Sequence, residues 1–243
     1  MKIIIANWKM NPQKQQEASL LGSRIEQGLL GVNRRNVETV ICPPFVFLGA
    51  VKVALHFAKL GAQNVSRESG GAFTGDISAK QLKEFGAEYV IIGHSETRRL
   101  GCADDEIVNR KIEQALSQDL KPILCVGYGT KNTHNDVAIK NIVRRQIAKG
   151  LAGIKASKIV IAYEPVWAIS RGLGTGKAAT PQHAASVISY IKKQVPKARV
   201  IYGGSVNAKN AAAFAELKII DGGLVGGASL VASEFLSLSL IHI

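Results

Sequence analysis

The chain has 243 residues, of which 47% are hydrophobic and 20% charged, so its composition excludes a disordered chain and allows one substantial core. The net charge is +13, but the basic residues occur as scattered pairs without interleaved aromatic residues, which argues against a specific nucleic-acid function and fits attraction of small anions. No stretch of about 20 apolar residues occurs, so we predict no membrane-spanning segment.

Eight short β-rich runs alternate with longer helical stretches along the chain. Several of these runs are apolar throughout, which is typical of parallel strands covered on both faces. The predicted strands are residues 3–8, 37–42, 60–63, 89–93, 122–126, 159–163, 200–202 and 223–225.

The segments between the strands carry the spacing of amphipathic helices. Acidic residues at 104–106 suit a helix start, and Pro181 and Asn207 predict the starts of two later helices. The apolar positions that recur at helical spacing are Ala18, Leu21, Ile25 and Leu29 in the first helical stretch and Ile107, Ile112, Ala115 and Leu116 in the fourth.

Eight βα units predict an α/β fold, either a closed barrel or an open doubly wound sheet. No Gly-x-Gly-x-x-Gly follows the first strand, which argues against a dinucleotide-binding sheet. Composition shows no linker, so we predict one domain over 1–243, with 238–243 set aside as a candidate non-native C-terminal addition. The long irregular stretches 64–75, 127–135 and 165–177 are expected to be functional.

The three cysteines indicate a reducing compartment. Cys42, Cys102 and Cys125 are far apart and lack the spacing of metal ligands, so we interpret them as small core residues and expect no metal. The sequence begins with a strand-like run and shows no signal-peptide pattern. We therefore expect a cytoplasmic protein.

Candidate catalytic residues follow the predicted strands, because catalytic side chains of a barrel lie at the C-terminal ends of different strands. Lys9 follows the first strand and could hold an anion, although most lysines are solvated surface charges. His94 follows the fourth strand, where a lone histidine is more often structural than catalytic. Glu164 follows the sixth strand, and a carboxylate there is costly to bury unless it is used or is paired in a salt bridge.

Two glycine-rich turns, at 203–204 and 226–227, follow the seventh and eighth strands and each opens a helical stretch. Backbone N–H groups at such turns can approach an anion closely, and the helix start favours negative charge. Either turn alone could be an ordinary tight turn. Together, in the last two units, they predict a phosphate site.

Six segments, in order along nearly the whole chain, resemble motifs of the triosephosphate isomerase family. They are residues 7–9, 71–75, 93–96, 162–169, 202–206 and 224–229. The resemblance implies a (β/α)8 TIM barrel, a parallel eight-stranded barrel surrounded by helices. It also implies an isomerase of glycolysis and gluconeogenesis that interconverts dihydroxyacetone phosphate and D-glyceraldehyde 3-phosphate through an enediolate, without a cofactor.

Two other functions stay open at this point. One is another sugar-phosphate-binding TIM-barrel enzyme that uses the same phosphate site. The other is a non-enzymatic binding protein that exploits the positive charge, although binding alone does not require the trio of Lys9, His94 and Glu164.

The resemblance also assigns roles to the catalytic candidates. Glu164 matches the base that moves the proton between two carbons, and His94 matches the neutral electrophile that polarises the carbonyl. Lys9 matches the cation near the developing enediolate. Asn7 matches a residue that positions substrate, and Glu96 is expected to organise Lys9.

The resemblance further predicts a lid, a phosphate site and a homodimer. The lid spans 165–177 and is four residues longer than is usual in the family, because 170–173 is inserted. Lid positions are Pro165, Trp167, Gly172 and Lys177, and the phosphate is held by N–H groups of Gly174, Ser205, Gly226 and Gly227 together with Asn7 and Lys9. The dimer would form through loop 64–75, with Phe73 and Thr74 meeting Met10 and Asn11 of the second copy.

Overall fold

The computed structural model describes residues 1–31, 36–130, 135–169 and 178–240, with side chains up to residue 238 in the last helix. Eight parallel strands close into a barrel in chain order, and the last strand pairs with the first. The strands are β1 (Lys2–Asn7), β2 (Val37–Cys42), β3 (Lys59–Ala62), β4 (Ala87–Ile92), β5 (Lys121–Val126), β6 (Val160–Tyr163), β7 (Arg199–Tyr202) and β8 (Gly222–Val225). The predicted α/β barrel is confirmed, and the bounds of each strand differ from the predicted ones by two residues at most.

Helices cover the outside of the barrel. Those in the described part of the chain are α1 (Gln15–Leu29), α2 (Leu48–Ala54), α3 (Ala79–Glu84), α4 (Ser95–Arg99), α5 (Asp105–Ser117), α6 (Asp136–Gly150), α7 (Pro181–Gln194), α8 (Ala211–Ala215) and α9 (Ala232–Leu240). Leu238, the first residue of the segment set aside as a candidate addition, is buried within α9. The origin of that segment stays a prediction.

Two of the three predicted helix starts are confirmed. The Asp104 side chain accepts the Ile107 N–H at 2.7 Å and caps α5, and Pro181 occupies the first turn of α7 behind the capping Thr180. The predicted start at Asn207 is wrong. Its side chain accepts the N–H groups of Lys209 and Asn210 in a turn, so α8 begins only at Ala211.

The core has two layers because successive side chains of each strand point to opposite faces. Inward-facing residues such as Ile5, Ile91 and Ile123 fill the barrel, and a second layer packs between strands and helices. Cys42 and Cys125 lie in the inner layer, as predicted, and burial raises the pKa of both thiols. Cys102 is exposed, so its interpretation as a core residue is wrong. It lies in the turn before α5, outside both layers.

A polar cluster closes the N-terminal end of the barrel. The Tyr89 hydroxyl donates to Glu38 Oε1 at 2.6 Å, and Arg199 donates to Glu38 Oε2 at 2.8 Å and to the Tyr89 oxygen at 3.0 Å. Burial alone would raise the pKa of Glu38, but the hydrogen bonds from Tyr89 and Arg199 outweigh it and lower that pKa. The ionised carboxylate therefore joins β2, β4 and β7.

We expect Glu38→Gln to lower the free energy of unfolding by about 1–3 kcal/mol at pH 7, because the amide loses two charge-assisted hydrogen bonds. The pKa of Glu38 is lower in the folded than in the unfolded state, so its contribution is present above the unfolded value of about 4.3 and is lost as pH falls through the folded value. The difference between variant and wild type should therefore shrink below about pH 4.

Urea unfolding at pH 7 and pH 3 measures this difference. Glu113→Gln, on the exposed side of α5, is the matched control and should match wild type at both pH values. A Glu38→Gln defect of equal size at pH 3 would show that the ionised carboxylate is not its source.

Candidate active site

A cavity of about 450 Å³ opens at the C-terminal mouth of the barrel. It brings together most of the described residues that the sequence predicted for catalysis and phosphate binding. Those that line it are Asn7, Lys9, His94, Glu164, Ser205, Gly226 and Gly227. They come from the ends of five strands, β1, β4, β6, β7 and β8, that are far apart in the sequence.

Glu164 follows β6 directly and is only 2% exposed. Its backbone N–H donates to the Val126 carbonyl at 2.7 Å, which continues the pairing of β6 with β5. Its carboxylate Oε2 accepts the Ser95 N–H at 3.0 Å, and its Oε1 lies 3.2 Å from His94 Nε2. The buried carboxylate thus accepts a backbone hydrogen bond at one oxygen and has the imidazole as the polar neighbour of the other.

Two glycines make room for Glu164. A Cβ at Gly127, whose φ is +114°, would lie 2.3 Å from the Glu164 carbonyl oxygen, and a Cβ at Gly203 would lie 2.9 Å from Glu164 Cγ. Any larger residue at Gly127 would displace the backbone that carries the carboxylate. The sequence did not predict this role of Gly127, because a single glycine after a strand is also typical of an ordinary turn.

The proton on His94 can be placed from its hydrogen bonds. His94 caps α4, and its Nδ1 accepts the Glu96 N–H at 3.2 Å. An accepting Nδ1 carries a lone pair, so the imidazole is neutral and its proton is on Nε2, which faces Glu164.

Lys9 has a left-handed backbone with φ 56°, which is a strained conformation for a residue with a side chain. Two side chains hold it there. The Asn7 Oδ1 accepts the Lys9 N–H at 3.0 Å, and Gln63 Nε2 donates to the Lys9 carbonyl at 2.8 Å. Asn7 was predicted as a site residue, but Gln63 was missed because its partner is 54 residues away.

The Lys9 ammonium is paired with Glu96, as expected. Lys9 Nζ lies 2.8 Å from Glu96 Oε1. Burial would raise the pKa of Glu96, but the hydrogen bond and charge of Lys9 outweigh it and lower that pKa. The pair fixes the position of the Lys9 ammonium at the cavity wall, at the end of β1.

The glycine turn after β8 leaves its backbone open to the cavity. A Cβ at Gly227 would meet no atom within 4 Å, and one at Gly226 would lie 3.3 Å from Lys9 Cε. In the turn after β7, the Ser205 N–H and hydroxyl both donate to the Ala168 carbonyl, at 3.1 and 2.8 Å. Ser205 therefore contacts the first part of the predicted lid.

The beginning of the lid is described and is well anchored. Pro165 is followed by a short 3₁₀ turn, Val166–Ala168, and the Val166 N–H donates to Thr130 Oγ1 at 3.2 Å. The Trp167 ring packs edge-on against His183. The other predicted lid and phosphate positions, Gly172, Gly174 and Lys177, lie outside the described residues.

The predicted interface residues lie on the surface. Met10 is 81% and Phe73 45% exposed, and Asn11 and Thr74 are exposed beside them in sequence. Asn11 also lines the cavity at the barrel mouth. Within the described residues, no three His, Cys, Asp or Glu side chains form a group that could hold a metal ion, and none of the helices is long and apolar enough to cross a membrane.

Known proteins resemble this chain over nearly its full length. The family model for triosephosphate isomerase matches residues 2–241. Proteins named triosephosphate isomerase from Endomicrobium trichonymphae and Alkaliphilus metalliredigens (strain QYMF) are 42% and 43% identical over 97% of this chain, and the alignments cover 96% and 97% of those proteins. A crystal structure of triosephosphate isomerase from Bartonella henselae is 34% identical, with a TM-score of 0.85 over 99% of this chain and 98% of that one. The chain therefore belongs to the triosephosphate isomerase family.

Proposed function

We propose that this chain interconverts dihydroxyacetone phosphate and D-glyceraldehyde 3-phosphate, with Glu164 as the base that carries the proton between the two carbons. The observation that supports this most directly is the buried Glu164 carboxylate, which lies 3.2 Å from the Nε2 of a neutral His94. A base and a proton donor at this separation can act on adjacent atoms of one small substrate.

Three side chains take part in the proton transfer. Glu164 removes a proton from the carbon beside the carbonyl, and the His94 Nε2–H donates a hydrogen bond to the oxygen on which negative charge develops. Lys9 supplies a positive charge to the enediolate, and its position is fixed in advance by Glu96, Asn7 and Gln63. His94 gives its Nε2 proton to that oxygen and takes up the hydroxyl proton of the first carbon, and Glu164 then returns its own proton to the neighbouring carbon. The reaction needs no cofactor.

The phosphate group would be held by the turns after β7 and β8. We assign its donors to the N–H groups of Gly226, Gly227 and Ser205, and of Gly174 in the lid, with Asn7 and Lys9 positioning the rest of the substrate. Binding of this non-reacting group orients the carbons against Glu164. A lid over 165–177, with Pro165, Trp167, Gly172 and Lys177, would exclude water from the enediolate.

A second copy of the chain is the macromolecular partner we propose. Phe73 and Met10 expose large apolar side chains that a monomer leaves in water, and Asn11 joins this surface to the active-site cavity. A homodimer through 64–75 would cover them. We propose neither a specific nucleic-acid partner nor a membrane, and we propose the cytoplasm as the location because glycolysis and gluconeogenesis operate there.

We expect Glu164→Gln to lower kcat for glyceraldehyde 3-phosphate by about 10²- to 10⁴-fold, since the amide cannot accept the proton. KM should change much less, because the shape of the side chain is kept. A coupled assay that follows consumption of glyceraldehyde 3-phosphate measures both.

Glu234→Gln is the matched control, because Glu234 is an exposed carboxylate on α9 that lines the same cavity. Its kcat should stay close to that of wild type. Full activity in Glu164→Gln would refute the role of Glu164, and turnover of a different sugar phosphate with none of trioses would refute the proposed substrate.

We expect Phe73→Glu to convert the dimer into monomers at micromolar concentration, because it places a charge in an interface that buries apolar surface. Light scattering measures the mass of the particle. Val137→Glu adds the same charge at an apolar site on α6 that is more exposed than Phe73 and should leave the dimer intact. A monomeric wild type, or a dimeric Phe73→Glu, would contradict the proposed interface.

A further inference from the structure

A cluster of three polar side chains lies next to the beginning of the lid. The Tyr163 hydroxyl lies 3.1 Å from His183 Nε2, and His183 Nδ1 lies 3.2 Å from Asp136 Oδ1. The three residues come from β6, α7 and the start of α6. None of them is among the described residues that line the catalytic cavity.

One tautomer of His183 fits both of its contacts. An ionised Asp136 carboxylate can only accept, which favours a proton on His183 Nδ1, and in that tautomer Nε2 accepts the hydrogen bond from the Tyr163 hydroxyl. Burial, followed by the effects of Tyr202 and Asp136, raises the pKa of Tyr163, which keeps the hydroxyl protonated as a donor. The second oxygen of Asp136 is held by the Ser186 hydroxyl at 3.4 Å and by Lys140 at 3.7 Å.

His183 contacts both the strand that carries the base and the first turn of the lid. Tyr163 immediately precedes Glu164, and alternation along the strand places the Tyr163 side chain in the outer layer while Glu164 faces the cavity. The His183 ring also meets the Trp167 ring edge-on, with centroids 5.6 Å apart. The His183 imidazole thus contacts Tyr163, the residue before Glu164, and Trp167, the third residue after it.

We propose that His183, oriented by Asp136, is a positioning residue for the isomerisation: it fixes Tyr163 and Trp167, and thereby the place of Glu164 and the first turn of the lid. This inference rests on the proposed function, because it assigns a purpose to the position of Glu164. Loss of the imidazole would loosen the base and the lid together. Most of the proposed substrate contacts lie outside the lid, so kcat would fall by a larger factor than KM would rise.

A loosened lid has a second measurable effect. When water reaches the enediolate, the C–O bond to phosphate breaks, the bonding electron pair leaves with inorganic phosphate, and the remaining enol rearranges to methylglyoxal. The fraction of turnovers that release phosphate therefore reports how well the lid closes. A role limited to fold stability would not change that fraction.

The experiment compares wild type with His183→Leu, His183→Gln and Tyr163→Phe, and measures kcat, KM, the released phosphate and the temperature of unfolding. We expect His183→Leu and Tyr163→Phe each to lower kcat about three- to tenfold, the effect of one hydrogen bond, and His183→Leu to raise the phosphate fraction. The double variant, with His183→Leu and Tyr163→Phe, should lower kcat no more than the more severe single variant does, since both changes remove the same hydrogen bond. The His183→Gln amide can reach the Tyr163 hydroxyl and should recover most of kcat.

The matched control is Ile188→Val, a buried change on the same helix that lowers stability without contacting the cluster. It should leave kcat and the phosphate fraction unchanged. If His183→Leu lowers only the temperature of unfolding, as Ile188→Val does, the proposal is overturned and the cluster is purely structural.

A readout without catalysis separates this proposal from the proposed function. The chain has two tryptophans, so the Trp8→Phe background isolates the fluorescence of Trp167. His183→Leu should shift its emission to longer wavelength and increase quenching by iodide, because the Trp167 ring loses its neighbour. An inactive wild type would refute the proposed function, whereas unchanged Trp167 emission would refute the positioning role whether or not the enzyme turns over trioses.

Discussion

The burial of the Glu164 carboxylate is the constraint on which the active site depends. A carboxylate that is 2% exposed needs polar partners, and Glu164 has the Ser95 N–H, which donates to one oxygen, and His94 Nε2, which lies 3.2 Å from the other. Both come from the start of α4, so the segment after β4 must reach across β5 to the end of β6. The barrel supplies this arrangement because parallel strands end at the same rim.

Strain and charge are concentrated at the other side of the cavity. Lys9 keeps a left-handed backbone because Asn7 and Gln63 bind its N–H and carbonyl, and its ammonium is held by Glu96. Glu96 also donates its backbone N–H to His94 Nδ1, so one residue fixes both the position of the cation and the tautomer of the imidazole. The two positive features of the site, a fixed ammonium and an Nε2–H, thus share one support.

Local features were predictable from the sequence, and contacts between distant residues were not. The strands follow from apolar runs, and the helix starts at Asp104 and Pro181 follow from capping residues within three positions. The helix start predicted at Asn207 was wrong, because an asparagine side chain can cap a turn as readily as a helix. The position of the predicted Lys9, His94 and Glu164 in one cavity follows from the barrel. Gln63, Gly127 and His183 were missed, because each matters through a partner on another strand or loop. Exposure of Cys102 depends on a turn whose path the sequence does not specify.

In the proposed phosphate site, the two hydrogen bonds from Ser205 to the Ala168 carbonyl would couple ligand binding to the position of the lid. The Ala168 oxygen is an internal competitor for the Ser205 N–H, so an anion that takes this donor must displace it. Affinity for the anion is therefore reduced by the free energy of that contact, and by reciprocity the anion weakens the hold on the first turn of the lid. Through Ser205, binding of an anion at the proposed phosphate site and movement of Ala168 would therefore change together.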